Sequence, residues 1–225
     1  MKPIESLAIG RLFFNKGMWQ YHDALHHAMS ELQRSGLVDR VEWITRDGDP
    51  VDYARESITE EALERQCDAV AWIDTDLIMP SSSLVRLVSM SNAGCPIAGG
   101  LYRRAKWLPR DQNILTRIDK PEWATLDELR AAVDGGTTKV AITAGGFTIV
   151  RREVYEVLER KFGRPWYACH DAEAGDWPIE DTYFYRRVAR AQIPVFVDPE
   201  LHAVHWSHFG PVPVVPDQPE MAMCL

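Results

Sequence analysis

Residues 68–80 read Asp-Ala-Val-Ala-Trp-Ile-Asp-Thr-Asp-Leu-Ile-Met-Pro. The apolar run Ala69–Ile73 is strand-length and carries no charge, which predicts a strand buried on both faces. It stops at two acids one residue apart, Asp74 and Asp76, and Met79-Pro80-Ser81 then opens onto a helix start.

Around that strand the pattern is regular. Ser6–Gly10 is a strand candidate, and Tyr21–Arg34 is a helix with Ala24, Leu25, Ala28, Met29 and Leu32 along one face. Arg40–Thr45 alternates like a strand, and Asp52–Gln66 reads as a helix. Ser81–Ser83 caps a helix bearing Leu84, Leu87 and Val88, and Cys95–Leu101 returns as a strand. This β-α-β-α-β-α-β rhythm predicts an α/β fold whose mostly parallel central sheet has helices on both faces. Beyond it, Leu126–Val133 is a helix and Thr138–Val150 a strand broken at Gly145-Gly146. Arg152–Lys161 and Glu180–Ala191 are helices, Gly163–Pro178 is a polar, aromatic loop, and Val195–Asp198 and His202–Trp206 are short strands. A single domain over 1–209 with a Pro-rich tail over 210–225 is the expected organisation.

Composition narrows the function classes. A formal charge of -8 at pH 7 disfavours duplex nucleic acid as a partner, since that footprint needs basic surface. Arg103, Arg104, Lys106 and Arg110 cluster locally, a pattern that more often marks a solvated face. The four cysteines have no Cys-x-x-Cys spacing, and no membrane span or signal peptide is readable, so a cytoplasmic location is expected.

If the two acids end the strand, they share one of its faces and aim at one point. Carboxylates that close repel unless a cation lies between them. Hard oxygen donors suit Mg²⁺ or Mn²⁺, and Mg²⁺ recruits substrate phosphates to complete its shell. Open α/β sheets also bind ligands at the carboxyl ends of their strands. The plain alternative is a strand-to-helix loop in which one Asp caps the next helix.

Further along come Ala98-Gly-Gly-Leu-Tyr-Arg-Arg104, Ala144-Gly-Gly-Phe147, Glu180-Asp181 and a strand bearing His205. From about Asp52 to His208 this ordered set resembles the GT-A glycosyltransferases, notably short, inverting, family-2-like enzymes of phage and bacterial origin. The first fifty residues depart from the pattern, for they lack the Asp-Asp-Gly-Ser turn with which many relatives hold the nucleotide. The resemblance implies a GT-A-like fold and a metal-dependent transfer of sugar from a nucleotide-sugar donor, a UDP- or GDP-sugar, to an acceptor hydroxyl.

It also implies roles. Asp76 and His205 would bind Mn²⁺ or Mg²⁺, with Asp74 on the metal through water or on the ribose. Arg55, Gly99, Gly100, Tyr102, Arg103, Gly145 and Gly146 would line the donor. Asp181 would be the general base that an inverting transfer needs, with Glu180 beside it. Each residue also has a plain reading: Arg55 as a salt-bridged surface residue beside Glu56 and Glu60, the glycines as bulges, the acid pair as helix-start residues favoured by the macrodipole. The loop aromatics Trp166, Tyr167 and Trp177, with His170, suit an acceptor platform or an ordinary packed loop.

Rival chemistries are fewer. His22-Asp-Ala-Leu-His26 has the i, i+4 histidines of a helical zinc protease but no Glu beside the first, and a polar helix face is the better reading. A haloacid-dehalogenase-like phosphatase would use Asp74 as nucleophile, though it usually places that strand at the domain's start. A sugar-nucleotide pyrophosphorylase would need a Gly-rich basic loop near residue 10. A non-catalytic nucleotide-binding descendant of the GT-A fold is the non-enzyme alternative.

Overall fold

The computed structural model describes residues 2–13, 19–103, 116–117, 124–171, 179–207 and 210–212. In chain order the elements are β1 (Ser6–Phe13), α1 (Trp19–Ser35), β2 (Arg40–Asp47), α2 (Val51–Glu64), β3 (Ala69–Ile73), β4 (Leu77–Ile78), α3 (Ser83–Asn92) and β5 (Ile97–Leu101). They continue with α4 (Leu126–Ala131), β6 (Thr138–Val140), β7 (Phe147–Arg151), α5 (Arg152–Phe162), α6 (Glu180–Arg190), β8 (Val195–His202), β9 (Val204–Ser207) and β10 (Gly210–Val212).

Seven strands form the central sheet in the order β2-β1-β3-β7-β5-β8-β6. β2, β1, β3, β5 and β8 run in one direction, and β7 and β6 run against them. The expected strand β3 is buried at every position. Val70 and Trp72 pack with α2, α5 and α6 through Ile58, Tyr155 and Phe184. Ala69, Ala71 and Ile73 pack on the other face with α1 and α3 through Tyr21, Leu25, Leu84 and Leu87. Alternation along one strand thus feeds two apolar layers, and truncating a core residue as large as Trp72 costs about 3–5 kcal/mol.

Two expectations need correction. Thr138–Val150 is not one interrupted strand: β6 lies at the sheet edge beside β8, and β7 runs between β3 and β5. Periodicity reports a strand's burial but not its partner. The serines give α3 no side-chain cap, for Ser82 at its start makes no capping bond and Ser83 Oγ donates to Pro80 O at 2.6 Å. The segment from Gly210 begins with β10, which pairs antiparallel with β9.

β10, β9 and β4 make a small antiparallel sheet. β4 follows β3 within a few residues, so this sheet sits where the central strands end. α2 and α6 also begin at that edge, since each descends to feed a strand of the common direction. The carboxyl edge therefore collects the turn after β3, the starts of α2 and α6, and β9.

Candidate functional site

The two acids do not end β3 as a shared strand face. Asp74, Thr75 and Asp76 form a turn after it, closed by Leu77 N–H donating to Asp74 O at 3.1 Å. Thr75 is anchored apart from the acids, its hydroxyl donating to Leu12 O at 3.0 Å. The turn sends the two carboxylates to different partners.

Asp76 meets His205. Antiparallel pairing of β4 with β9 sets Leu77 opposite His205, and Trp206 N–H donates to Asp76 O at 2.7 Å. His205 Nε2 then lies 3.0 Å from Asp76 Oδ2, while Nδ1 lies 2.8 Å from Arg103 O. A carbonyl only accepts, so Nδ1 carries its hydrogen and Nε2 is the atom left to face the carboxylate. Burial opposes the imidazolium charge, but the hydrogen bond and charge of Asp76 outweigh it and raise the His205 pKa. The Tyr102 ring stands edge-on to His205 at 5.6 Å.

Asp74 meets Arg55. Arg55 Nη2 donates to Asp74 Oδ1 at 3.2 Å and Nε donates to Glu180 Oε1 at 3.1 Å. The surface reading of Arg55 fails: it is 3% exposed, its Cζ lies 5.0 Å from the ring of Trp72, and Glu56 and Glu60 pair with Arg164 instead. Burial opposes its charge, yet the acids Asp74, Glu180 and Asp181 together with Tyr167 hold it firmly protonated.

Asp181 is the neighbouring acid in the first turn of α6. Burial first, then the charge of Glu180, push its pKa up to about 6, against the pull of Arg55 and the N–H groups of Gly145 and Thr182. An acid poised near neutrality can accept a proton from a hydroxyl and release it again.

The glycines serve this acidic cluster. A Cβ on Gly146 would fall 1.9 Å from Asp74 Oδ2, and one on Gly145 would fall 3.2 Å from Asp181 Cβ. Gly99 and Gly100 lie inside β5, where a Cβ on Gly100 would meet the Phe147 ring at 2.3 Å. Packing within the sheet accounts for these two without a ligand.

The structure thus brings Asp74, Asp76, Tyr102, Arg103, Gly145, Gly146, Glu180, Asp181, His205 and Arg55 to one edge and leaves Gly99 and Gly100 in the sheet. Asp74 does not join Asp76 and His205 in a donor cluster. Among the described residues no group of three His, Cys, Asp or Glu side chains is placed to hold a metal ion. His22 and His26 are exposed on α1, with no such cluster around them. Arg104, Lys106, Arg110, Trp177 and His208 lie outside the described residues.

Sequence reasoning missed what lies beneath Arg55. Trp72 Nε1 donates to Tyr155 OH at 3.0 Å, and the Tyr155 and Tyr167 hydroxyls are 3.1 Å apart. Tyr167 stacks on Phe184 at 4.9 Å. Tyr155 falls on the apolar face of α5, which signals core but not the chain of hydroxyls.

No protein-family model matches the sequence, and no curated protein matches it. Among solved structures the chain is similar to A197 from STIV, with a TM-score of 0.60 at 17% identity over 91% of this chain and 86% of that one. It is similar as well to GalNAc-T7, solved with UDP, GalNAc and Mn²⁺, with a TM-score of 0.55 at 12% identity over 87% of this chain and 42% of that one. Among the described residues no helix is long and apolar enough to cross a membrane. The likeness is one of fold: this is a mixed α/β domain with a GT-A-like central sheet.

Proposed function

We propose that the chain is a glycosyltransferase that binds a nucleotide-sugar through a divalent cation and transfers the sugar to an acceptor hydroxyl with inversion. The observation that carries this reading is the convergence, at the carboxyl edge of a GT-A-like sheet, of the Asp76–His205 pair with the half-buried acid Asp181.

The donor set fits such a cation. His205 is oriented by Arg103 O so that Nε2 faces the Asp76 carboxylate, the hydrogen-bonded imidazole arrangement found behind metal-bound histidines. Two protein donors suffice for Mn²⁺ or Mg²⁺ when phosphates and waters supply the rest. A cation bound there supplies positive charge against the departing diphosphate. The mixed imidazole and carboxylate set favours Mn²⁺ over Mg²⁺.

The chain's own residues do the remainder. Asp181, ionised above about pH 6, accepts the proton of the acceptor hydroxyl as that oxygen attacks the sugar carbon. Asp74 is held by Arg55 and the backbone at Gly146, which suits a contact to the ribose better than the open nucleophile of a phosphatase. Tyr102 packs against His205 and fixes the imidazole plane.

Calorimetric titration of UDP, GDP, CMP and dTDP, each with and without Mn²⁺, tests the reading. Metal-dependent binding of one nucleotide, lost in Asp76→Asn, supports it and names the base. Absence of binding by all four removes its foundation.

A further inference from the structure

Arg55 is buried, and its two charged contacts face inward to separate elements. One is to Asp74, in the turn that continues into β4 and meets the Asp76–His205 pair. The other is to Glu180, at the start of α6 and covalently adjacent to Asp181. The residues lie 19 and 125 positions from Arg55 along the chain. One guanidinium therefore spans the two halves of the candidate site.

Its position is set from below and from the side. The indole of Trp72 lies under it, and Trp72 is held through Tyr155 to Tyr167. The segment carrying Tyr167 is in turn bound to the helix that carries Arg55. Glu56 Oε2 accepts from Trp166 N–H at 2.8 Å and Tyr167 N–H at 3.2 Å, and Asp52 Oδ2 accepts from Cys169 N–H at 3.1 Å. Asp52 and Glu56 are four residues apart, on one face of α2, so the helix closes a ring around its own arginine. A planar fork gripped this way cannot follow a ligand without breaking two ion pairs.

We propose that Arg55 is a positioning residue that couples the two halves of the site, fastening Glu180 beside Asp181 and so setting the charge against which Asp181 exchanges its proton. Two adjacent carboxylates at a helix start compete for one proton unless one of them is tied to a cation. Arg55 ties Glu180 at 3.1 Å, while Asp181 takes its hydrogen bonds from the N–H groups of Gly145 and Thr182. Among the described residues, the groups whose charge or hydroxyl bears on Asp181 are Glu180, Arg55, Tyr102 and Tyr185; both tyrosines are buried and stay protonated far above neutral pH. Glu180 and Arg55 are therefore the neighbours that set when Asp181 titrates.

The inference rests on the proposed function only for the use made of the Asp181 proton, and its test needs no nucleotide. The carboxyl carbon of Asp181 is followed by NMR against pH in the wild type, in Arg55→Gln, in Glu180→Gln and in the double variant. Arg55→Gln is expected to raise the Asp181 midpoint by about one pH unit, a tenfold gain in proton affinity. Glu180→Gln is expected to lower it. In the double variant the rise caused by losing Arg55 shrinks to less than half, because the released carboxylate is no longer there.

Equal rises in both backgrounds would overturn the coupling, since Arg55 would then act on Asp181 only through its own charge and not through Glu180. An unmoved midpoint in Arg55→Gln would overturn it too. If Arg55→Gln does not fold, Arg55→Lys supplies the same comparison with a charge that lacks the fork. Failure of every nucleotide to bind, with the midpoints shifting as stated, removes the proposed function and leaves the coupling standing.

Discussion

Gly146 and Asp74 occupy space that a single methyl group would contest: a Cβ at 146 would lie 1.9 Å from Asp74 Oδ2 and 2.9 Å from its Cβ. The backbone joins them as well, with Asp74 N–H donating to Gly146 O at 2.9 Å. Gly146→Ala therefore has to displace the Asp74 side chain and with it the Arg55 ion pair. A destabilisation of about 1–3 kcal/mol is expected from such overpacking. Gly145→Ala, where the closest approach is 3.2 Å, should cost clearly less. Urea unfolding of the two variants checks the order, and equal losses would contradict the geometry.

Asp181 should oppose stability at neutral pH. Its folded pKa of about 6 lies above the ordinary value of 3.8, so the folded state binds the extra proton between those limits. The stabilisation this gives is full below 3.8 and is lost as pH rises through about 6. Asp181→Asn mimics the protonated acid, and a gain on the order of 1–3 kcal/mol at pH 7.5 is expected together with loss of any transferase turnover. Thermal unfolding at pH 7.5 and pH 5 checks it: the gain must shrink at the lower pH. In the wild type, turnover should climb with pH through about 6 and level off above.

His202 should act in the opposite sense. It is buried, with Nε2 bonded to Pro199 O, and burial lowers its pKa below 6.5 against the pull of Pro199 O, Glu200 and Asp198. The neutral ring is the form the fold accepts, so its contribution is present above 6.5 and is lost as pH falls through the lowered folded value. Melting temperatures of wild type and His202→Gln, compared from pH 7.5 down to pH 5, should converge as the pH drops. Parallel curves would show that His202 does not titrate in this range.

Glu56 holds the segment that carries Trp166 and Tyr167 through two backbone N–H groups and Arg164. Removing its carboxylate leaves donors beside the buried Trp166 without a partner. Glu56→Ala should cost about 1–3 kcal/mol, against less than 1 kcal/mol for the exposed pair partner Glu60→Ala. Denaturant midpoints of the two variants decide it.

The elements of this chain were legible because their causes are local. β3 is an uncharged run of strand length, α2 and α6 carry helical periodicity, and the acids at the start of α6 suit the helix dipole. Asp74 and Asp76 stood out locally at the end of a readable strand, whereas Asp181 and His205 were singled out through the resemblance to glycosyltransferases. Which side chain meets which was not local. Asp76 and His205 are 129 residues apart, and only the register of two-residue β4 against β9 puts them 3.0 Å from each other.

Arg55 shows the limit best. By sequence it is one charged residue in a helix rich in charges, and its neighbours Glu56 and Glu60 are the obvious partners at helical spacing. Folding turns it inward over Trp72, gives Glu56 and Glu60 to Arg164, and assigns it Asp74 and Glu180. Local sequence determined the strands and the helices, because propensity and periodicity act over a few residues, and the order of its motifs supplied the resemblance that named the reactive groups. Tertiary structure alone decided the pairing of those groups and their protonation, because burial and charge proximity depend on segments that only the folded sheet brings together.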